Sequence, residues 1–87
     1  MKWRVVWVPR AESELAAFWL DADIRNAVSH AANRIDEALL QNPEAVGESR
    51  EFGLRVTFES PIGVTFRVVP PDRLVQVLDV WLTIPRG

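Results

Sequence analysis

Residues 52–82, FGLRVTFESPIGVTFRVVPPDRLVQVLDVWL, read as a three-strand antiparallel meander. Leu54, Val56 and Phe58 alternate with Arg55, Thr57 and Glu59, and Val64, Phe66 and Val68 alternate with Thr65, Arg67 and Val69. Successive side chains of a strand point to opposite faces, so each run offers one apolar and one mostly polar face. Ser60-Pro61-Ile62-Gly63 and Pro70-Pro71-Asp72-Arg73 separate the runs with residues that preset turn geometry. The third run, Leu74 to Leu82, is denser in apolar residues and interrupted by Gln76 and Asp79. Strict alternation cannot put Val75, Val77, Val80 and Leu82 on one face, which predicts a bulge near Leu78-Asp79 or burial on both sides.

Working outward, Lys2 to Val8 is a further strand, with Trp3, Val5 and Trp7 on one face and Lys2, Arg4 and Val6 on the other. Pro9 follows and suits a first helical turn, where its missing N–H has no intrahelical partner. A helix from Pro9 to about Leu20 would carry Glu12 and Glu14 in its first turn and a core stripe of Ala11, Leu15, Phe18 and Trp19. Asp23 is placed to cap a second helix running from Ile24 to about Gln41. Its core arc is Ile24, Ala27, Val28, Ala31, Ala32, Ile35, Ala38 and Leu39, with His30, Asn33 and Glu37 solvated. Asn42-Pro43 stops this helix, and Pro43 to Ser49 is a polar connection to the meander.

The fold class is therefore α+β: strand, two-helix hairpin, then a three-strand meander, in one domain spanning residues 1–87. The helices are expected to cover one sheet face. The other should carry Arg4, Arg55, Thr57, Thr65, Arg67 and one of Gln76 or Asp79.

Composition narrows the function. Nearly half the residues, 48%, are hydrophobic and 25% are charged, as in a folded soluble domain. No run is long enough to span a membrane, and no apolar signal segment follows the charges at the start, so the expected compartment is the cytoplasm. With no cysteine and one histidine, disulfides, thiolate nucleophiles and the usual zinc sites are excluded, and no cofactor or metal is expected. The net charge is −2, and residues 10–48 hold three arginines against eight acids. An independent nucleic-acid binder would carry a denser basic patch. A target that supplies other contacts, such as the ribosome or a protein surface, stays open.

The opening Trp3, Val5, Trp7, Pro9, Ala11, Leu15, the stretch Leu39-Leu40-x-Asn42-Pro43, the Gly47-Glu48-Ser49-Arg50 turn, Leu54-Arg55-Val56 and Val64-Thr65-Phe66-Arg67-Val68 resemble the RelE/ParE superfamily. Its members are toxins of bacterial type II toxin-antitoxin modules. The resemblance implies a helix pair packed on a curved sheet and a cognate antitoxin that wraps the toxin. It also implies one of two targets, messenger RNA on the ribosome or DNA gyrase, with no membrane partner. A toxin-like protein that only binds its antitoxin is a third reading.

In the nuclease branch, basic and acid/base residues lie on the open sheet face. Attack by a ribose 2′-hydroxyl needs a proton acceptor, a proton donor and cations for the phosphate. The resemblance matches Arg55 to a basic strand position of that branch; with Arg67, expected on the same face though not at the family arginine's register, and the nearby Glu51 it makes up the catalytic candidates, with Glu48, Glu59 and Asp79 as further carboxylates. Thr57 and Gly63 stand where that branch carries basic residues, and the chain has no tyrosine. The competing reading of Arg55 and Arg67 is a solvated arginine paired with Glu59 or Asp79. Trp3, Trp7 and Trp19 are expected in the core, and His30 at the surface; alternation leaves the facing of Trp81 and Asp79 open.

Overall fold

Register and turn length decide which side chains share a face of the sheet, and both are set in a computed structural model that describes residues 2–85. Its elements are β1 (Arg4–Trp7), α1 (Pro9–Trp19), α2 (Arg25–Gln41), β2 (Glu48–Ser49), β3 (Leu54–Glu59), β4 (Ile62–Val69) and β5 (Leu74–Leu82). The sheet order is β1-β5-β4-β3-β2, with β1 parallel to β5 and every other pair antiparallel. The meander is thus the centre of the sheet. The parallel pairing of β1 follows from the helical hairpin, which carries the chain across one face before it returns.

Both helices lie on that face. Ile62, Val64 and Phe66 of β4 and Val75, Val77 and Val80 of β5 are fully or almost fully buried beneath Ala11, Val28, Ala31, Ile35 and Leu39. Trp3 joins this core, and the Arg73 guanidinium lies 5.0 Å from its ring centroid. Trp7 is half-buried, and its Nε1 donates to Asp36 Oδ1 at 3.1 Å.

The expected bulge is present. Thr65 pairs with Asp79 and Phe66 with Val77, leaving Leu78 as the extra residue of β5. That shift lets Val77 and Val80 both reach the core, which strict alternation forbids.

Several expectations are corrected. The connection after α2 contains β2, whose Glu48 and Ser49 pair with Val56 and Arg55. Ile62 and Gly63 belong to β4, so the first hairpin loop is Ser60-Pro61 alone. The N-cap of α2 is Ile24, with no side-chain cap, whereas the Asp23 N–H donates to Asp21 Oδ1 at 3.0 Å. Ala27 is exposed. Glu14 also reaches the sheet: its Oε1 accepts the Val80 N–H at 3.2 Å, where β5 has run beyond the end of β1 and this donor needs an acceptor.

Trp19 leaves the predicted core stripe and is 43% exposed. Its Nε1 donates to Ser29 Oγ at 3.0 Å, the Arg25 guanidinium sits 4.3 Å from its ring centroid, and Arg25 Nε donates to its carbonyl at 2.9 Å. The tryptophan therefore ties the end of α1 to the start of α2 rather than filling the core.

Candidate functional site

The face of the sheet away from the helices is built by register. Across antiparallel partners side chains lie on the same side, so the core-facing Val64 and Phe66 identify which residues of the neighbouring strands face the helices. Arg55 pairs with Phe66, Thr57 with Val64 and Glu59 with Ile62. These three polar side chains of β3 therefore point to the helix side. Leu54, Val56 and Phe58, paired with Arg67, Thr65 and Gly63, point to the open side.

This reverses the expectation for β3. Arg55 and Arg67 lie on opposite faces, and Thr57 is not on the open one. The cause is the even-numbered loop of the first hairpin, which places odd residues of β3 opposite even residues of β4. Arg55, Thr57 and Glu59 are each half-buried on that side. There Arg34 Nη1 meets Glu59 Oε1 at 3.1 Å.

Arg55 is occupied. Its Nε donates to Val46 O at 3.0 Å, Nη1 to Ser49 Oγ at 2.8 Å and Nη2 to Gly47 O at 3.2 Å. The three bonds hold the chain that enters β2. Replacing Arg55 with alanine should therefore lower stability by about 1–2 kcal/mol, because it strips carbonyls of a charged donor. A urea melt checks this; an unchanged midpoint would mean the fork is not formed in solution.

Glu51 lies in the short helical turn Glu51–Gly53 ahead of β3 and is exposed. The next residue, Phe52, has φ of 62° and is 86% exposed. The structure thus distributes the three candidates over the helix side (Arg55), the open face (Arg67) and the β2–β3 connection (Glu51). It does not assemble them into one cluster.

Four rows of paired residues make up the open face. Phe58, Gly63 and Trp81 form the first, and Glu48, Val56, Thr65 and Asp79 the second. The third is Leu54, Arg67, Gln76 and Val6, and the fourth Val69, Leu74 and Arg4. In the first row Phe58 and Trp81 pack edge to face, centroids 6.0 Å apart at 79°. Gly63 lies beneath them. A Cβ there would fall 2.7 Å from Trp81 Cε2 and 2.9 Å from Phe58 Cδ1, so only glycine lets the rings close over the strand. Phe58 remains 57% exposed. No alternation rule placed Trp81 here; the register with Gly63 does.

The carboxylates of the second row are engaged. Asp79 Oδ1 meets Arg10 Nη2 at 3.2 Å, not Arg55 or Arg67, and Glu48 Oε2 meets Arg50 Nη1 at 3.0 Å. Among the described residues, Arg10, Arg25, Arg34, Arg50, Arg55 and Arg73 each have a side-chain hydrogen bond, ion pair or ring partner. Arg4 and Arg67 do not, and both lie on the open face. His30 is exposed on α2. Among the described residues no group of three His, Asp or Glu is placed to hold a metal ion.

On the opposite side, a crevice of about 500 Å³ runs between α1 and α2. Leu15, Ala16, Val28 and Ala32 line it, with Trp19 at one end and Glu12 on its rim. Among the described residues no helix is long and apolar enough to cross a membrane.

No family model matches the sequence, and no curated protein matches it significantly. Solved structures do match. A chain of the toxin-antitoxin complex RelBE2 from Mycobacterium tuberculosis superposes with a TM-score of 0.70 at 22% identity, covering 94% of this chain and 92% of that one. A chain of the chromosomal ParDE toxin-antitoxin system of P. aeruginosa gives 0.63 at 18% identity, with 94% and 97% covered. The isolated E. coli RelE toxin gives 0.65 at 16% identity, with 97% and 87% covered. The fold is the α+β fold of RelE/ParE toxins, two helices on a five-strand mixed sheet. The resemblance read from the sequence is thus matched at the level of the fold.

Proposed function

We propose that the chain is the toxin component of a type II toxin-antitoxin module, acting in the cytoplasm, and that it inhibits its target by binding a protein. One observation carries the choice of mechanism. The place where the nuclease branch is expected to hold an arginine is Gly63, and its space is filled by the Phe58–Trp81 pair. Such a surface favours desolvated protein contact through its aromatic anchors.

The cognate antitoxin is the second partner of this reading. The apolar crevice between α1 and α2 supports it, because an amphipathic segment needs a groove of that kind. A ribosome-dependent nuclease is supported only by Arg67 on the open face. It would need Glu51 to reach across from the β2–β3 connection, and Arg55 to exchange its carbonyl partners for phosphate.

Inducible expression in a bacterial host without the antitoxin tests the proposal, with growth, protein synthesis and DNA synthesis followed together. The expected result is growth arrest in which DNA synthesis fails while translation continues, as for a gyrase-directed toxin, with growth restored by co-expressed antitoxin. An early collapse of protein synthesis would overturn it in favour of messenger RNA cleavage. Normal growth with folded protein in the cells would overturn toxin action altogether.

A further inference from the structure

We infer that the open sheet face docks an extended segment of the target protein that carries an apolar anchor and acidic residues, seated on the Phe58–Trp81 pair and on Arg67 and Arg4. The inference rests on the protein-binding reading and names the chemistry of the partner. Two independent features of the face converge on it.

The first is the separation of its apolar and cationic ends. Gly63, beneath the aromatic pair, and Arg67 are four residues apart on β4 and share a face. At about 3.3 Å per residue the two ends stand roughly 13 Å apart. Val69 lies one two-residue step further, and Arg4 shares its row from β1, two strands or about 10 Å across the sheet, a gap that the guanidinium and a carboxylate side chain would span together. A strand-like segment laid along β4 would therefore place an anchor at one position and carboxylates four and six positions on, all on its sheet-facing side.

The second is the state of the arginines. Arg4 and Arg67 are the two arginines of the described chain without a side-chain partner, while the acids beside them on the face, Glu48 and Asp79, are held by Arg50 and Arg10. Two unneutralised cations, on a face whose two carboxylates already have arginine partners, match an acidic partner. Nucleic acid fits less well. The chain has a net charge of −2, and two arginines are few for phosphate neutralisation. The edge-to-face packing of the two rings also leaves no flat stack for successive bases.

The test uses the full chain and fluorescence anisotropy with three probes. One is a labelled eight-residue peptide with phenylalanine at position 2 and glutamates at positions 6 and 8; the second has lysines in place of the glutamates; the third is a labelled single-stranded RNA octamer. The acidic peptide is expected to bind, more weakly as salt rises, and the other two are not. Arg67→Glu should weaken the acidic peptide at least about tenfold, because it juxtaposes like charges. Phe58→Ser, at an exposed position, should do the same without unfolding the sheet, as thermal melts of each variant would verify. Arg34→Ala, on the helix side, should leave binding unchanged.

Equal binding of the lysine peptide, or indifference to both Arg67→Glu and Phe58→Ser, would overturn the inference. So would RNA binding that depends on the same two residues, which would return the face to nucleic acid. The same variants expressed in cells separate the two levels of the argument. If they still arrest growth like the parent while peptide binding is lost, the docking surface is wrong and the toxin reading stands. If the parent binds the peptide but never arrests growth, the toxin reading fails instead.

Discussion

Gly47→Ala is expected to destabilise the protein by about 3 kcal/mol or more, a larger effect than alanine at Gly53 or Gly63. Two costs combine. Gly47 has φ of +68°, a left-handed conformation that a residue with a Cβ adopts only under strain. The new Cβ would also lie 2.1 Å from the carbonyl oxygen of Val56 and 3.0 Å from Thr57 Cβ. The oxygen belongs to the backbone of a paired strand and cannot rotate away, so β2 would have to part from β3. That movement would in turn pull Gly47 O and Ser49 Oγ off the Arg55 guanidinium. Chemical denaturation checks the prediction. For a domain of this size each kcal/mol moves the thermal midpoint by roughly 4–8 °C. A midpoint within a degree or two of the parent would mean that the turn is not closed against β3.

Gly63→Ala is expected to lower stability by about 2 kcal/mol, within the usual cost of overpacking. The added methyl meets side chains instead of backbone, namely Trp81 Cε2 at 2.7 Å, Trp81 Cζ2 at 2.8 Å and Phe58 Cδ1 at 2.9 Å. Side chains can yield, which makes this cost smaller than that at Gly47. It should also be conditional. In a Phe58→Ala background the methyl has room to displace Trp81, so the two substitutions should couple by at least about 0.5 kcal/mol in a double-mutant cycle. Strict additivity would show that the rings do not pack over residue 63. For the same reason an arginine cannot be grafted at this position while the aromatic pair stays in place.

These two glycines bear on function because they mark what the open face is made for. A basic, acid-equipped surface would need Arg55 turned outward and an arginine in place of Gly63. Here Arg55 secures the turn before β2, and Gly63 admits two rings. Both residues serve the shape of an aromatic surface with arginines at its far end.

Much of the architecture was legible in the residues. Period-two alternation in residues 54–69 and the 3.6-residue apolar arc of α2 gave the meander and the helix, because each element must bury one face. Pro9 and Asn42-Pro43 marked helix boundaries through the N–H that proline lacks. The crowded apolar run of β5 required a bulge or burial on both sides, since no unbroken strand could turn Val77 and Val80 to one face, and the register shows the bulge. Other features were out of reach of periodicity. Glu48–Ser49 is too short to alternate, and Trp19 lies on the stripe of α1 by rotation yet beyond the end of the core.

The facing of β3 stands between these cases. Alternation says that Arg55 and Phe58 lie on opposite sides, but not which side is which. Polarity suggests that the arginine faces water; the two-residue loop Ser60-Pro61 puts it opposite Phe66 instead. An even-numbered loop of either two or four residues has that consequence, so the signal was present in loop length and not in hydrophobicity.

The sequence alone determined the two helices and four longer strands, the helical hairpin and the buried faces of β4 and, Ala27 apart, α2, because these follow from local periodicity and the need to remove apolar surface from water. Tertiary structure decided which polar residues meet. Strand order, register and the bulge at Leu78 sent Arg55 to the carbonyls of Val46 and Gly47 and the Ser49 hydroxyl, Asp79 to Arg10, and Phe58 to Trp81 over Gly63. Pairings between distant segments depend on how strands are aligned, and alignment is a property of the assembled sheet that no single segment encodes.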